Sequence, residues 1–172
     1  MKTFNQAVCL ALALPCMGAL TQSAPAMAQI IPDQTLGDEG SQVTPGMEVR
    51  GAAANLIEGG AIRGGNLFHS FQEFNIDAGQ RVYFANPEGI ESILSRVTGG
   101  DPSNIFGTLG VEGTADLFLL NPNGIVFGSN AALDIEGSFH ASTAAAIPLG
   151  NRVYSATAPE QSSLLTVNPS AM

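Results

Sequence analysis

The amino-acid sequence predicts an all-β solenoid, and three observations carry that reading. Glycine and proline, 20 and 10 of 172 residues, are spread along the chain rather than gathered into a linker, which is the punctuation of many short strands each ended by a turn. No stretch holds a helical period for three turns. One strand-turn unit recurs, and a stacked architecture produces such recurrence because each coil buries its apolar side only against the next.

At the N-terminus, Lys2 precedes an apolar run over residues 7–20, and Ala24-Pro25-Ala26-Met27-Ala28 follows it, the pattern of a secretory signal peptide over residues 1–28. Ala26 and Ala28 supply the small side chains a signal peptidase accepts, so cleavage is expected between Ala28 and Gln29. The run is shorter than the roughly 20 residues a membrane-crossing helix needs, and the mature product is expected to be soluble. Cys9 and Cys16 both fall inside the leader, and Pro15 before Cys16 argues against lipidation. The mature chain, residues 29–172, therefore carries no thiol for a disulfide, a metal thiolate or a nucleophile. It suits one domain. Its only cations are five arginines, set against fifteen carboxylates, which makes nucleic acid and anionic membranes poor partners.

Residues 30–45 are mixed and polar and read as an extended cap or first edge strand. Residues 59–65 read as a glycine-flanked turn region. Strands follow at 66–71, 74–76 and 81–85, the last with Val82 and Phe84 on one face and Arg81 and Tyr83 on the other. Further strands are expected at 92–97, 104–109, 115–120, 125–127, 132–135 and 138–140. Alanine propensity allows a short helix at 143–147, closed by Pro148 and Gly150.

The recurring unit is Tyr83-Phe84-Ala85-Asn86-Pro87-Glu88-Gly89-Ile90 and, 35 residues on, Leu119-Leu120-Asn121-Pro122-Asn123-Gly124-Ile125, with a partial copy in Leu164-Leu165-Thr166-Val167-Asn168-Pro169. In a type I turn, Asn at the first position bonds the backbone beyond it, Pro at the second pre-sets φ, and Gly suits the fourth. Asn121-Pro122-Asn123-Gly124 fills each preference. Asn86-Pro87-Glu88-Gly89 is expected to do the same, with Glu third. As isolated turn signals, both read as structural.

Glu88, Glu91, Asp101, Glu112, Asp116, Asp134 and Glu136 are scattered singly and read as solvated loop charges, without the paired carboxylates of a carbohydrate-active site. His69 and His140 share no ligand spacing, so no metal site is expected. His69 follows Phe68 in an apolar strand and reads as a satisfied or surface imidazole; Ser70 has no nucleophile-elbow context. The paired glycines lack the Lys-Ser or Lys-Thr of a phosphate loop. Neither a catalytic site nor a cofactor is expected.

Residues 57–147 resemble the N-terminal secretion domains of filamentous-haemagglutinin-like exoproteins exported by two-partner secretion. The likeness runs through Gly60-Ala61-Ile62-Arg63-Gly64-Gly65-Asn66-Leu67-Phe68-His69-Ser70-Phe71, Phe74-Asn75-Ile76 and Ile93-Leu94-Ser95-Arg96-Val97-Thr98-Gly99-Gly100. It is densest at Ala115-Asp116-Leu117-Phe118-Leu119-Leu120-Asn121-Pro122-Asn123-Gly124-Ile125-Val126-Phe127-Gly128, ending in Gly137-Ser138-Phe139.

The resemblance implies a right-handed parallel β-helix, a single-stranded, pectate-lyase-like solenoid with an N-terminal cap. It further implies delivery by the inner-membrane export machinery and passage through an outer-membrane TpsB-type transporter. That transporter's periplasmic polypeptide-transport-associated (POTRA) domains would recognise the chain while it is extended, sending it to the cell surface or medium of a Gram-negative bacterium. Two Asn-Pro motifs of the family are tied to secretion: Asn121, Pro122, Asn123 and Gly124 match the second in full. Asn86 and Pro87 match the first, whose usual Asn-Leu ending is Glu88-Gly89 here.

The chain ends within the third copy, which would leave Leu164, Leu165 and Val167 uncapped and suggests a fragment, with any adhesin function or glycan ligand carried further downstream. A nonfunctional remnant or short structural exoprotein, and a carbohydrate-active β-helix enzyme, are the competing readings.

Overall fold

The computed structural model describes residues 29–162. The signal peptide, Ala28 of the cleavage site and the third copy at 164–169 lie outside the described residues. The fold is a parallel β-solenoid of about four turns with almost no helix.

Three sheets wrap one core. The chain enters the first coil at β3 (Ala52–Gly59), passes the short β4 (Ala61–Arg63), and runs through β5 (Asn66–Phe74) to Ile76. The second coil is β6 (Arg81–Ala85), β7 (Ser92–Val97) and β8 (Ser103–Ile105); the third is β9 (Thr108–Glu112), β10 (Asp116–Leu120) and β11 (Ile125–Phe127). The fourth contains β12 (Ala132–Asp134) and β13 (Phe139–Ser142).

Strands β5, β7, β10 and β13 stack in parallel as sheet A, and β3, β6, β9 and β12 as sheet B. A narrow sheet C pairs β8 with β11, continued downward by the bridge from Ile105 to Ile76.

Alternation along each strand decides what is buried. Leu67, Ile93, Leu117 and Phe139 occupy one column in sheet A, so successive coils advance by 26, 24 and 22 residues. In sheet B, Val82 sits under Leu109, while Phe84 and Val111 form the next column. These side chains make the central core with Ile57, Phe71, Phe74, Ile76 and Ile105. Each one fully withdrawn from water contributes about 1.5–3 kcal/mol. The expected division of β6 holds, with Val82 and Phe84 inward and Arg81 and Tyr83 outward, although Tyr83 is buried as well.

The N-terminal cap covers the first coil with antiparallel strands. β1 (Ile30–Pro32) and β4 both pair with β5, and β2 (Ser41–Val49) pairs with β3. Without them the first coil would offer bare strand edges, which template pairing with other chains. The β2–β3 hairpin turns through Arg50 (φ 51) and Gly51 (φ 77), the double left-handed geometry that suits strand twist.

Four expectations need correction. The turn region at 59–65 contains the short strand β4 between its glycines. The expected strand at 104–109 is two strands, because Gly107 makes a corner where any Cβ would sit 2.3 Å from the Gln80 carbonyl oxygen. The allowed helix at 143–147 is instead the start of β14 (Ala146–Leu149), which pairs antiparallel with β15 (Arg152–Ser155) through a turn at Gly150, φ 64. Local propensity lost there to packing: Tyr154, Ile147 and Leu149 cover Phe68 and Leu94 on the outer face of sheet A.

The fourth correction concerns the 35-residue recurrence, which is not the coil repeat. Asn86-Pro87 follows a strand of sheet B and Asn121-Pro122 follows a strand of sheet A, so the same local signal ends strands at two different corners.

Candidate recognition turns

Asn121-Pro122-Asn123-Gly124 closes β10 at the corner leading to sheet C. The Gly124 amide donates to the Asn121 carbonyl at 3.1 Å, and the Asn123 amide donates to Asn121 Oδ1 at 2.9 Å. This is the turn expected from the sequence, and Gly124 (φ 116) accepts a backbone angle that other residues resist.

The turn is also tied to its neighbours. Asn121 is 0% exposed; its Nδ2 donates to the Asp101 carbonyl at 3.0 Å and to Ser103 Oγ at 2.9 Å in the coil before. Asn123 is exposed, yet its Nδ2 donates to the Gly99 carbonyl at 2.7 Å. The Asn121 amide donates to the Ser142 carbonyl at 3.0 Å in the coil after.

The other motif differs from the expected turn. At 86–90 the closing bond runs from the Ile90 amide to the Pro87 carbonyl at 3.2 Å, one residue later, with Gly89 third at φ 81. A left-handed residue at the third position is the requirement of a type II turn, which only glycine or asparagine meets readily. Asn86 therefore lies outside the turn and clamps it: Nδ2 donates to the Ile90 carbonyl at 3.0 Å, and Oδ1 accepts the Ala115 amide at 3.0 Å. Pro87 is exposed. The two motifs are not brought together, since they occupy different corners.

Several carboxylates read as free loop charges are engaged. Arg50 Nη1 reaches Asp134 at 2.6 Å and Arg50 Nη2 reaches Glu136 at 3.0 Å, while the Tyr83 hydroxyl donates to Asp134 at 2.6 Å. Asp116 accepts the Ser138 amide at 2.6 Å. Among the described residues no three His, Asp or Glu side chains gather as metal ligands. No helix there is long and apolar enough to cross a membrane.

His69 points inward under the cap, fully buried, its Nδ1 3.0 Å from Ser41 Oγ. Its Nε2 and the Oγ of Ser95, its register partner on β7, have no hydrogen-bond partner. Burial lowers the imidazole pKa to about 3, so His69 is neutral at ordinary pH.

Sequence reasoning missed the polar hub on the outer face of sheet A. Arg96 is 0% exposed and donates to Ser70 Oγ, Thr35 Oγ1, the Ser155 carbonyl and Ser162 Oγ at 2.8, 2.8, 2.7 and 2.6 Å. Asp33 accepts from Ser70, Thr98 and Thr35 at 2.7, 2.6 and 2.7 Å. Burial pushes the Asp33 carboxyl up, but the hydrogen bonds from Thr98, Thr35 and Ser70 outweigh it and hold the pKa below the ordinary value. The available signal was an arginine within the apolar strand Ile93-Leu94-Ser95-Arg96-Val97, which demands buried partners.

Comparison with known proteins places this architecture. The crystal structure of the filamentous hemagglutinin secretion domain superposes with a TM-score of 0.54 at 27% identity, covering 72% of this chain and 45% of that one. The heme/hemopexin-binding protein of Haemophilus influenzae is 33% identical over 69 residues, 40% of this chain and 7% of that protein. The chain thus spans less than half the length of either relative. The family model for the TPS secretion domain matches residues 28–171, nearly all of the chain beyond the expected leader. A family of secretion domains is not an enzyme family, and its members are exported. The chain belongs to the TPS secretion-domain family.

Proposed function

We propose that the chain, freed of residues 1–28 by cleavage after Ala28, is the export determinant of a filamentous-haemagglutinin-like exoprotein. An outer-membrane TpsB-type transporter recognises it in the periplasm through POTRA domains, after delivery by the inner-membrane machinery. Asn121, Pro122, Asn123 and Gly124 are the primary recognition segment, with Asn86 and Pro87 the second. The single observation that carries the reading is the secretion-domain match across residues 28–171, which spans both motifs.

The geometry supports recognition of an extended chain. In the folded turn the Asn121 amide group is spent on Asp101 and Ser103 and the residue has no exposed surface, so its side chain is available only before folding. An extended segment pairs with a sheet edge through its main chain and needs no preformed fold. Outside the cell, stacking of each coil then buries apolar surface and opposes back-sliding.

The test is export of the tagged chain with and without the transporter, alongside Asn121→Ala. Wild type in the medium only with the transporter, and the variant retained in the periplasm, is the expected result. Equal release of wild type in both strains overturns the transporter reading.

A further inference from the structure

We propose that Arg96 makes closure of the N-terminal cap wait for the C-terminal hairpin, so that the domain locks only once residues 146–162 have joined the first two coils. The proposal deepens the export reading, since it concerns when an exported chain becomes fixed, but its observations and its test involve no transporter.

Arg96 stands on β7 facing outward, and its four hydrogen-bond partners come from both ends of the described chain. Thr35 belongs to the cap and Ser70 to the first coil; Ser155 and Ser162 belong to the hairpin and the turn after it. Its guanidinium carbon lies 4.5 Å from the centre of the Tyr154 ring, which lids it. The charge is met by hydroxyls, a carbonyl and a ring; Asp33 is reached only through the Ser70 and Thr35 hydroxyls.

A cation buried with half its donors unmatched is strongly destabilising, because its hydration is lost without replacement. Before the hairpin docks, Arg96 lacks Ser155, Ser162 and the Tyr154 ring, and stays satisfied only by keeping water above sheet A. Until then the cap closes only on the Nη2 bond to Thr35 and the Nε bond to Ser70, around a guanidinium whose Nη1 side is not yet covered. When the hairpin arrives, the Ser162 hydroxyl takes both Arg96 and the Ser155 amide, and the Tyr154 hydroxyl donates to the His69 carbonyl beside Ser70. The strands of the intermediate coils, β6 to β11, take their ladder partners from the adjoining coils.

Arg50 points the same way independently. It sits at the tip of the cap hairpin, and its side-chain partners are Asp134 and Glu136 in the fourth coil and the Val111 carbonyl in the third. Thr35 and Arg50, one from each part of the cap, thus both bond to residues that follow them by 60 positions or more.

The test is refolding of the mature chain from urea, with pulsed hydrogen exchange read by mass spectrometry on peptides covering 30–45, 92–97 and 146–162. The expected result is one shared late phase for 30–45 and 146–162, after 92–97. Protection of 30–45 before 146–162 overturns the proposal. In Arg96→Met, which keeps the bulk and removes the charge, 30–45 should gain protection about tenfold sooner than 146–162. If they still rise together, the hairpin's apolar contacts rather than the cation set the order, and the proposal is overturned. Should Arg96→Met fail to fold, Ser162→Ala decides: it should slow both peptides by a common factor of about five. Slowing confined to 146–162 overturns the coupling. A failure of export with these outcomes intact bears only on the transporter reading.

Discussion

Asn86 and Asn121, the two asparagines that precede proline among the described residues, aim their side chains in opposite directions along the solenoid. Asn86 Oδ1 accepts from the Ala115 amide in the coil that follows, whereas Asn121 Nδ2 donates to the Asp101 carbonyl in the coil that precedes. Asn121→Ala removes four hydrogen bonds at a fully buried site and strands Ser103 Oγ, so it should cost about 2–4 kcal/mol. Asn86 is partly exposed, water can replace its amide, and Asn86→Ala should cost about 1–2 kcal/mol. Urea unfolding of the two variants, with unchanged m-values, checks the order. Export of Asn86→Ala measured beside it separates recognition from stability: a variant that stays folded yet is retained marks a recognition residue.

The strands that the sequence made legible are those with a local mark. β6 alternates cleanly and lies where alternation put it, while β7 and β10 are apolar runs bounded by turn residues. What stayed hidden depends on neighbours. Nothing local to Ala146 says that Phe68 and Leu94 leave an apolar outer face for β14 and β15 to cover, so alanine propensity pointed to helix. Two Asn-Pro turns with similar flanks read as one repeat because turn chemistry encodes a corner without saying which corner. The Asn121 turn was readable since Asn, Pro and Gly each act within four residues. The Arg96 hub was not, because its partners at Thr35 and Ser162 are brought together only by the finished coil.

Gly110 is a place where sheet B admits no side chain. A Cβ there would lie 2.3 Å from Cε1 of Tyr83, whose hydroxyl is fixed between Arg81 and Asp134. The ring cannot yield without releasing both partners. Gly110→Ala should therefore cost about 1–3 kcal/mol, the range for overpacking a filled site. Adding Tyr83→Leu should recover part of that loss, whereas Tyr83→Leu alone destabilises; a double-variant cycle by chemical denaturation reads the coupling.

Arg50 makes two ion pairs, but its side chain is 31% exposed and Glu136 is 59% exposed, so water and salt screen them. Arg50→Ala should cost only about 0.5–1 kcal/mol despite the short distances. The loss should shrink by roughly half between low salt and 0.5 M sodium chloride, since the screening length falls below the span of the cluster. A loss of the same size at both salt levels would mean that the bond to the Val111 carbonyl dominates.

His69 gives the fold a dependence on pH that begins well above the carboxylate range. Its pKa falls from 6.5 to about 3 on burial, so below 6.5 the unfolded chain binds a proton that the folded chain refuses. Stability then rises with pH across that window: it is complete above about 6.5 and declines as pH falls toward 3. The loss should reach roughly 3 kcal/mol by pH 4, at 1.36 kcal/mol for each unit below 6.5. Asp33 acts in the same direction but lower, because its lowered carboxyl pKa stabilises the fold above the ordinary value of 3.8 and loses that effect only below it. The two are separable by substitution. His69→Gln keeps a polar group near Ser41 Oγ and removes the titration, so urea midpoints measured from pH 7 to pH 4.5 should be nearly flat in the variant and fall steadily in wild type. An equal decline in both would move the acid sensitivity away from the imidazole and onto the carboxylates.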